Sequence, residues 1–191
     1  EEAVTDEDRQ RIPVDWSRDG RFLTIFDREG GGNRLIQLST IPLSGDRKPF
    51  VVVPTVPGLL GGGRLSSDGR WLAYDTDESG RREVYVVSFP DGQNRVQISN
   101  AGGLGAKWSR NGREILYAAF DGTVMAVEVD TSRGLRPGTP RQLFRLPEGT
   151  GLAEAWDVSA DGERFLVNAP VTKSSAVPLS VVFNWAAGLG R

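Results

Sequence analysis

The stretch Leu65-Ser66-Ser67-Asp68-Gly69-Arg70-Trp71-Leu72-Ala73-Tyr74 decides the fold. An apolar residue is followed by Ser, a variable residue, Asp and Gly. Three residues after the Gly, Leu72 opens a new apolar run. Asp-Gly between two apolar runs is a hairpin signal, because Gly takes positive φ without a Cβ clash. Ser and Asp side chains can bond nearby backbone N–H groups and hold such a turn closed. The pattern returns at Trp16-Ser17-Arg18-Asp19-Gly20, Trp108-Ser109-Arg110-Asn111-Gly112 and Val158-Ser159-Ala160-Asp161-Gly162, with Leu23, Ile115 and Phe165 in the place of Leu72. The four serines stand 49, 43 and 50 residues apart. A period in the forties to fifty, built from short strands, is the signature of a β-propeller blade.

Working outward, each period divides into strands. The second unit gives 63–66, 71–76, a turn at Asp77-Glu78-Ser79-Gly80, then 83–89 and 95–99. The strand Val84-Tyr85-Val86-Val87-Ser88-Phe89 is apolar on both alternating faces apart from Ser88, which suits a blade held between two others. The first unit gives 22–27, a Gly30-Gly31-Gly32 loop, 35–41 and 50–53. The third gives 114–119, 124–129 and 142–146. The fourth gives 156–159, 165–169 and 179–185, without an outermost strand. The expected organisation is a linker over 1–11, then blades over 12–55, 56–103, 104–150 and 151–191. The fold class is all-β: about four blades of four antiparallel strands, the last incomplete, in a ring expected to total about six to eight blades. Ile12–Val14 is the one N-terminal stretch apolar enough to pair with the last blade.

Composition narrows the function. Lys+Arg 23 against Asp+Glu 25 leaves a net charge of −2, which gives no electrostatic case for nucleic acid or an anionic membrane. There is no Cys and no His. Thiolate chemistry, disulfides, the usual general base and the usual zinc ligand are thereby removed. No run of about 18 apolar residues exists, so no transmembrane helix is expected. The chain opens at Glu1 without a methionine, a basic region or an apolar region, and is expected to be part of a longer protein.

The repeats resemble those of TolB-like (WD40-like) propellers, found in the periplasmic Tol system and in prolyl-oligopeptidase-type peptidases. From Leu72 to Gly112 the sequence is similar to a narrower group, the C-terminal sensor propeller of bacterial transmembrane Ser/Thr protein kinases. The residues that carry this are Tyr74, Glu78-Ser79-Gly80, Glu83-Val84-Tyr85-Val86, Phe89-Pro90, Gln97-Ile98-Ser99, Gly102-Gly103 and Trp108-Ser109, with Val182-Phe183-Asn184-Trp185 at the close. The resemblance implies an extracytoplasmic or periplasmic location. No kinase motif is present, and the additional N-terminal domain of the Tol-system protein has no counterpart.

Candidate chemistry is sparse. Asp75-Thr76-Asp77-Glu78-Ser79-Gly80 partly matches a calcium loop, but its twelfth position is Val86 where a bidentate Glu is needed. It reads as a hairpin tip. Ser17, Ser66, Ser109 and Ser159 recur at equivalent turns without a His base, so they read as structural. Asp15, Asp157 and Glu154 fall on innermost strands, which line a propeller's channel. There they would bind a cation or an amine, or stand solvated. Trp16, Trp71 and Trp108 read as packing residues, and the glycine runs at 30–32 and 61–63 as loops and not phosphate sites.

The expectation is a non-catalytic propeller module for protein–protein or ligand recognition at its blade loops, as the sensor or scaffold part of a larger protein. It is expected not to be an enzyme, with no catalytic, cofactor or metal residues, no cofactor, no nucleic acid and no membrane insertion. The open outer edge of the last blade is expected to pair with another chain, two copies closing an eight-bladed ring. The rivals are an accessory propeller that gates substrate for a prolyl-oligopeptidase-like peptidase or other hydrolase, and a metal-dependent enzyme using channel carboxylates.

Overall fold

A computed structural model describes residues 9–29, 36–55, 58–109, 111–153, 155–159, 162–170 and 180–182. Among these residues there are sixteen strands and no helix, and none long and apolar enough to cross a membrane. Glu154, Asp161, the 30–32 glycines and residues 183–185 lie outside them.

Four antiparallel sheets follow one another along the chain. Sheet 1 is β1 (Arg9–Trp16), β2 (Phe22–Glu29), β3 (Ile36–Pro42) and β4 (Phe50–Val53), in that order. Sheet 2 is β5 (Leu60–Leu65), β6 (Trp71–Thr76), β7 (Glu83–Ser88) and β8 (Val96–Gln97). Sheet 3 is β9 (Leu104–Trp108), β10 (Glu114–Ala118) and β11 (Thr123–Asp130), with β11 paired to both β12 (Arg136–Pro137) and β13 (Arg141–Arg145). Its outer strand is interrupted at Gly138-Thr139-Pro140, where Pro140 has no N–H to give the ladder. Sheet 4 is β14 (Trp156–Val158), β15 (Phe165–Val167) and β16 (Ser180–Val182). Each sheet is a blade with its first strand innermost.

Two N-terminal expectations are corrected. β1 begins at Arg9, inside the stretch read as linker. Ile12–Val14 pairs with β2 as part of the inner strand of sheet 1, not with the last sheet.

The blades are held face to face by three apolar clusters. The first joins sheets 1 and 2 through Leu38, Val52, Leu65, Leu72, Tyr74, Tyr85 and Val87. The second joins sheets 2 and 3 through Ala73, Val84, Val86, Ile115, Tyr117 and Val127. The third joins sheets 3 and 4 through Leu116, Ala118, Val124, Trp156, Phe165 and Val167. β7 shows the alternation: Val84 and Val86 face sheet 3, while Tyr85 and Val87 face sheet 1. A strand sandwiched in this way is apolar on both faces because both leave water.

All turns between first and second strands lie at one end of the sheets, the corner end. The hairpin tips between second and third strands, and the crossings from one sheet to the next, lie at the other, the loop end. Inner strands therefore run from the loop end to the corner end.

Candidate functional site

The corner serines are consumed by the turn. The Oγ of Ser17, Ser66, Ser109 and Ser159 accepts from the backbone N–H five residues on, at Phe22 (2.8 Å), Trp71 (3.0 Å), Glu114 (3.0 Å) and Arg164 (3.0 Å). Three of these hydroxyls donate in turn to Asp19, Asp68 and Asn111 at 2.6–2.8 Å. The glycine N–H closes each corner on the serine carbonyl at 2.8–2.9 Å. All four glycines sit at positive φ, between 65° and 78°, so any Cβ there would be strained. The hydroxyl of Ser17 and the N–H of Arg21 hold the Asp19 carboxyl down at about 2. A hydroxyl so engaged is a fastening, not a nucleophile.

The partial calcium loop is a hairpin tip. Asp75 is fully buried and ion-paired with Arg82, and accepts from Gly105 N–H of sheet 3 at 3.0 Å. Its Oδ atoms thus bind sheet 2 to sheet 3. Glu83, also buried, accepts from Gly102 N–H at 3.0 Å, from the Ser99 hydroxyl and from Arg81. Among the described residues no group of three His, Cys, Asp or Glu is placed to hold a metal ion.

The axis is built from one position per repeat, two residues before each corner serine: Asp15, Arg64, Lys107 and Asp157. The four line one small pocket of about 220 Å³ with Leu65, Trp108 and Val158. Register shifts in the first three inner strands, between Pro13 and Asp15, Gly62 and Arg64, and opposite Leu116 to Ala118 beside Lys107, mark bulges just ahead of these residues. Bulges re-aim the side chain that follows them. Asp15 accepts from Leu65 N–H at 2.8 Å and lies 3.5 Å from Arg64. Burial pushes the Asp15 carboxyl up, against the pull of Leu65 N–H and the Arg64 guanidinium. Lys107, only 9% exposed, places its ammonium 5.0 Å over the Trp156 ring and 4.0 Å from Asp157. The structure therefore brings Asp15 and Asp157 to the axis, as their strand positions imply, but each meets a cation of the protein itself. The pair Arg64 and Lys107 went unread, although aligning the repeats on their serines puts both in the column of Asp15 and Asp157.

A second candidate lies at the loop end. Phe120, on the hairpin tip between β10 and β11, is 51% exposed. It rests on Gly102, where a Cβ would come within 2.6 Å of its ring. Phe120 and Asp121 are shared by two grooves. One, of about 480 Å³, is lined by Asn100, Tyr117, Met125, Pro140 and Gln142. The other, of about 670 Å³, is lined by Arg145, Pro147, Glu148 and Leu152. Tyr117 is pushed up to about 12 by burial and by nearby Glu83, so it stays a neutral phenol. The N–H and hydroxyl of Thr123 keep the Asp121 carboxyl below its ordinary range. No sequence motif marks Phe120; its exposure follows from its place on a tip.

No family model matches the sequence, and no curated protein matches it either. Solved structures do match. TolB from Agrobacterium tumefaciens aligns over 75% of this chain and 52% of its own, at 19% identity and a TM-score of 0.58. An oligogalacturonate lyase in complex with manganese aligns over 98% of this chain and 54% of its own, at 14% identity and a TM-score of 0.69. A puromycin-hydrolyzing peptidase from Mycobacterium tuberculosis aligns over 84% of this chain and 28% of its own, at 17% identity and a TM-score of 0.61. The chain thus spans about half the length of the first two.

One expectation is corrected by these matches. Exclusion of enzymatic activity does not hold, because the same fold is that of a lyase and a peptidase. The missing His and Cys remove particular chemistries, not catalysis as a class. The likeness is one of fold: this chain folds as four blades of a TolB-like β-propeller.

Proposed function

We propose that the chain is a recognition module that binds a protein partner or small ligand at its loop end, centred on Phe120. The observation that carries this is a half-exposed aromatic ring, seated on Gly102 between two grooves. An exposed aromatic ring that borders two grooves has the form of a binding anchor, and aromatic anchors dominate binding energy at interfaces. In this reading the module is the extracytoplasmic sensor or scaffold part of a larger protein. The resemblance over Leu72–Gly112 supports that role and that location.

The test is selection of phage-displayed peptides on the chain, followed by affinity measurement on Phe120→Ala. Selected peptides are expected to bind the variant at least about tenfold more weakly, the loss typical of an anchor residue, with the circular dichroism spectrum unchanged. Peptides that bind both proteins equally would refute the reading. A second reading, a substrate-gating propeller beside a hydrolase, is favoured by the alignment with the peptidase. A nucleophile elbow encoded in the same gene would decide for it.

A further inference from the structure

The larger groove beside Phe120 has two walls. One is the tip itself, at Phe120-Asp121-Gly122. The other is the turn Pro147-Glu148-Gly149-Thr150, which follows β13 and is closed by Thr150 N–H donating to the Pro147 carbonyl at 3.1 Å. Gly149 supplies the positive φ, 78°, that the third position of a type II turn requires. The two walls are bonded to each other. Leu146 N–H donates to the Gly122 carbonyl at 2.8 Å, and Arg145 Nε and Nη2 donate to the Asp121 carbonyl at 3.1 and 2.9 Å. The groove is thus held in shape before anything enters it, which lowers the cost of binding.

Its polar groups leave bonding capacity open. Thr150 lines the groove and is 9% exposed, yet its hydroxyl has no hydrogen-bond partner among the described residues. A buried hydroxyl without a partner is costly, and few folded proteins keep one. Glu148 is exposed and makes no hydrogen bond or ion pair among the described residues. Asp121 and Glu148 against Arg145 leave the lining with one negative charge in excess, and the Arg145 fork is already engaged with the tip. The smaller groove on the other side of Phe120 has Asp121 as its one carboxylate and no basic residue.

We propose that the larger groove takes an arginine side chain of a protein partner, its guanidinium against the Phe120 ring and donating to the Glu148 carboxylate and the Thr150 hydroxyl oxygen. The assignment rests on the reading of Phe120 as a binding anchor. Arginine fits better than lysine, because a planar guanidinium stacks on an aromatic face while its fork of donors serves two acceptors at once. The neutral groove beside it suits the partner's flanking residues, so a peptide segment fits better than a free amine.

The test uses peptides selected from a phage library on the chain. They are expected to share an arginine, and replacing it by citrulline, of the same shape without the charge, is expected to weaken binding by about tenfold or more. Glu148→Gln is expected to weaken the arginine peptide about fivefold and to leave the citrulline peptide unchanged, since the coupling between the two changes isolates their contact. Thr150→Val is expected to weaken binding about threefold without lowering the Tm of the free chain, because the hydroxyl it removes makes no bond there. Peptides that are lost on Phe120→Ala but lack arginine, tolerate citrulline, accept lysine equally or bind Glu148→Gln unchanged overturn the arginine assignment and leave the anchor reading standing. A Thr150→Val chain that binds as tightly as the parent, or unfolds at a lower temperature, removes the hydroxyl from the site. Peptides that bind Phe120→Ala as tightly as the parent, or a selection that recovers none, overturn both.

Discussion

Leu116 and Leu166 are the same residue at the same place in successive repeats, seven residues after the corner serine, and their surroundings are opposite. Leu116 is buried between sheets 3 and 4, whereas Leu166 is half in water on the far side of sheet 4. Trp108 and Trp16 differ in the same way, one packed between sheets and one exposed. The corner motif therefore fixes the turn and the direction of each side chain, while the neighbouring blade decides whether that side chain is core. In a repeat architecture the energy resides in the interfaces as much as in the units.

The largest expected effect comes from the junction of sheets 2 and 3, where Asp75 joins Arg82 of its own sheet to Gly105 N–H of the next. Asp75→Ala leaves a guanidinium and a buried N–H without this acceptor. It is expected to cost about 3–5 kcal/mol, the range for removing one partner of a buried pair. Asp157→Ala, which removes a mostly exposed carboxylate 4.0 Å from Lys107, is expected to cost no more than about 1 kcal/mol. Urea denaturation measures both. Equal costs would mean that interior and end sheets are not energetically distinct.

The leucine pair sharpens the point with chemistry held constant. Leu116→Ala is expected to lose about 2–5 kcal/mol, for transfer plus cavity. Leu166→Ala is expected to lose no more than about 1 kcal/mol, since about half of that side chain is already in water. Matching losses would show that Leu166 is covered in solution.

Much of this was legible in the sequence because turns are local. The corners need only Ser, Asp or Asn, and Gly at fixed spacing, and the strands on either side follow from alternation; β6 at Trp71–Thr76 has the bounds read from the sequence. The axial charges were half legible. Asp15 and Asp157 can be placed from strand position alone, but their neutralisation by Arg64 and Lys107 is a contact between residues about fifty apart, which no local pattern reports. Trp16, expected as core, is 65% exposed, because a motif position fixes the direction of a side chain and not what lies against it. Phe120 carries no signal at all, because exposed aromatic residues on hairpin tips have no spacing rule.

A smaller effect separates the corners from the junctions. Ser66→Ala removes the acceptor for Trp71 N–H and the donor to Asp68. It is expected to cost about 1 kcal/mol, the usual net worth of such bonds. A loss as large as that at Leu116 would transfer the weight of the fold from the faces to the turns.

The smallest effect is on the acid limb of stability, and the chain contains its own control. Asp19 is held at about 2 in the folded protein against an ordinary 3.8, by the Ser17 hydroxyl and the Arg21 N–H. A carboxyl depressed on folding adds stability that is complete above its ordinary value and is lost as pH falls through its folded value. Its contribution is therefore present at pH 5 and drains away between about pH 4 and pH 2. The third corner has Asn111 where the first has Asp19, and its Oδ1 accepts from the Ser109 hydroxyl at 2.8 Å and from Arg113 N–H at 2.9 Å. An amide thus makes the same two bonds with no charge to lose. Asp19→Asn is expected to keep the corner while making the fall in Tm between pH 4 and pH 2 shallower than in the parent. An unchanged acid limb would mean that the carboxylate charge adds nothing to a turn the neutral amide already closes.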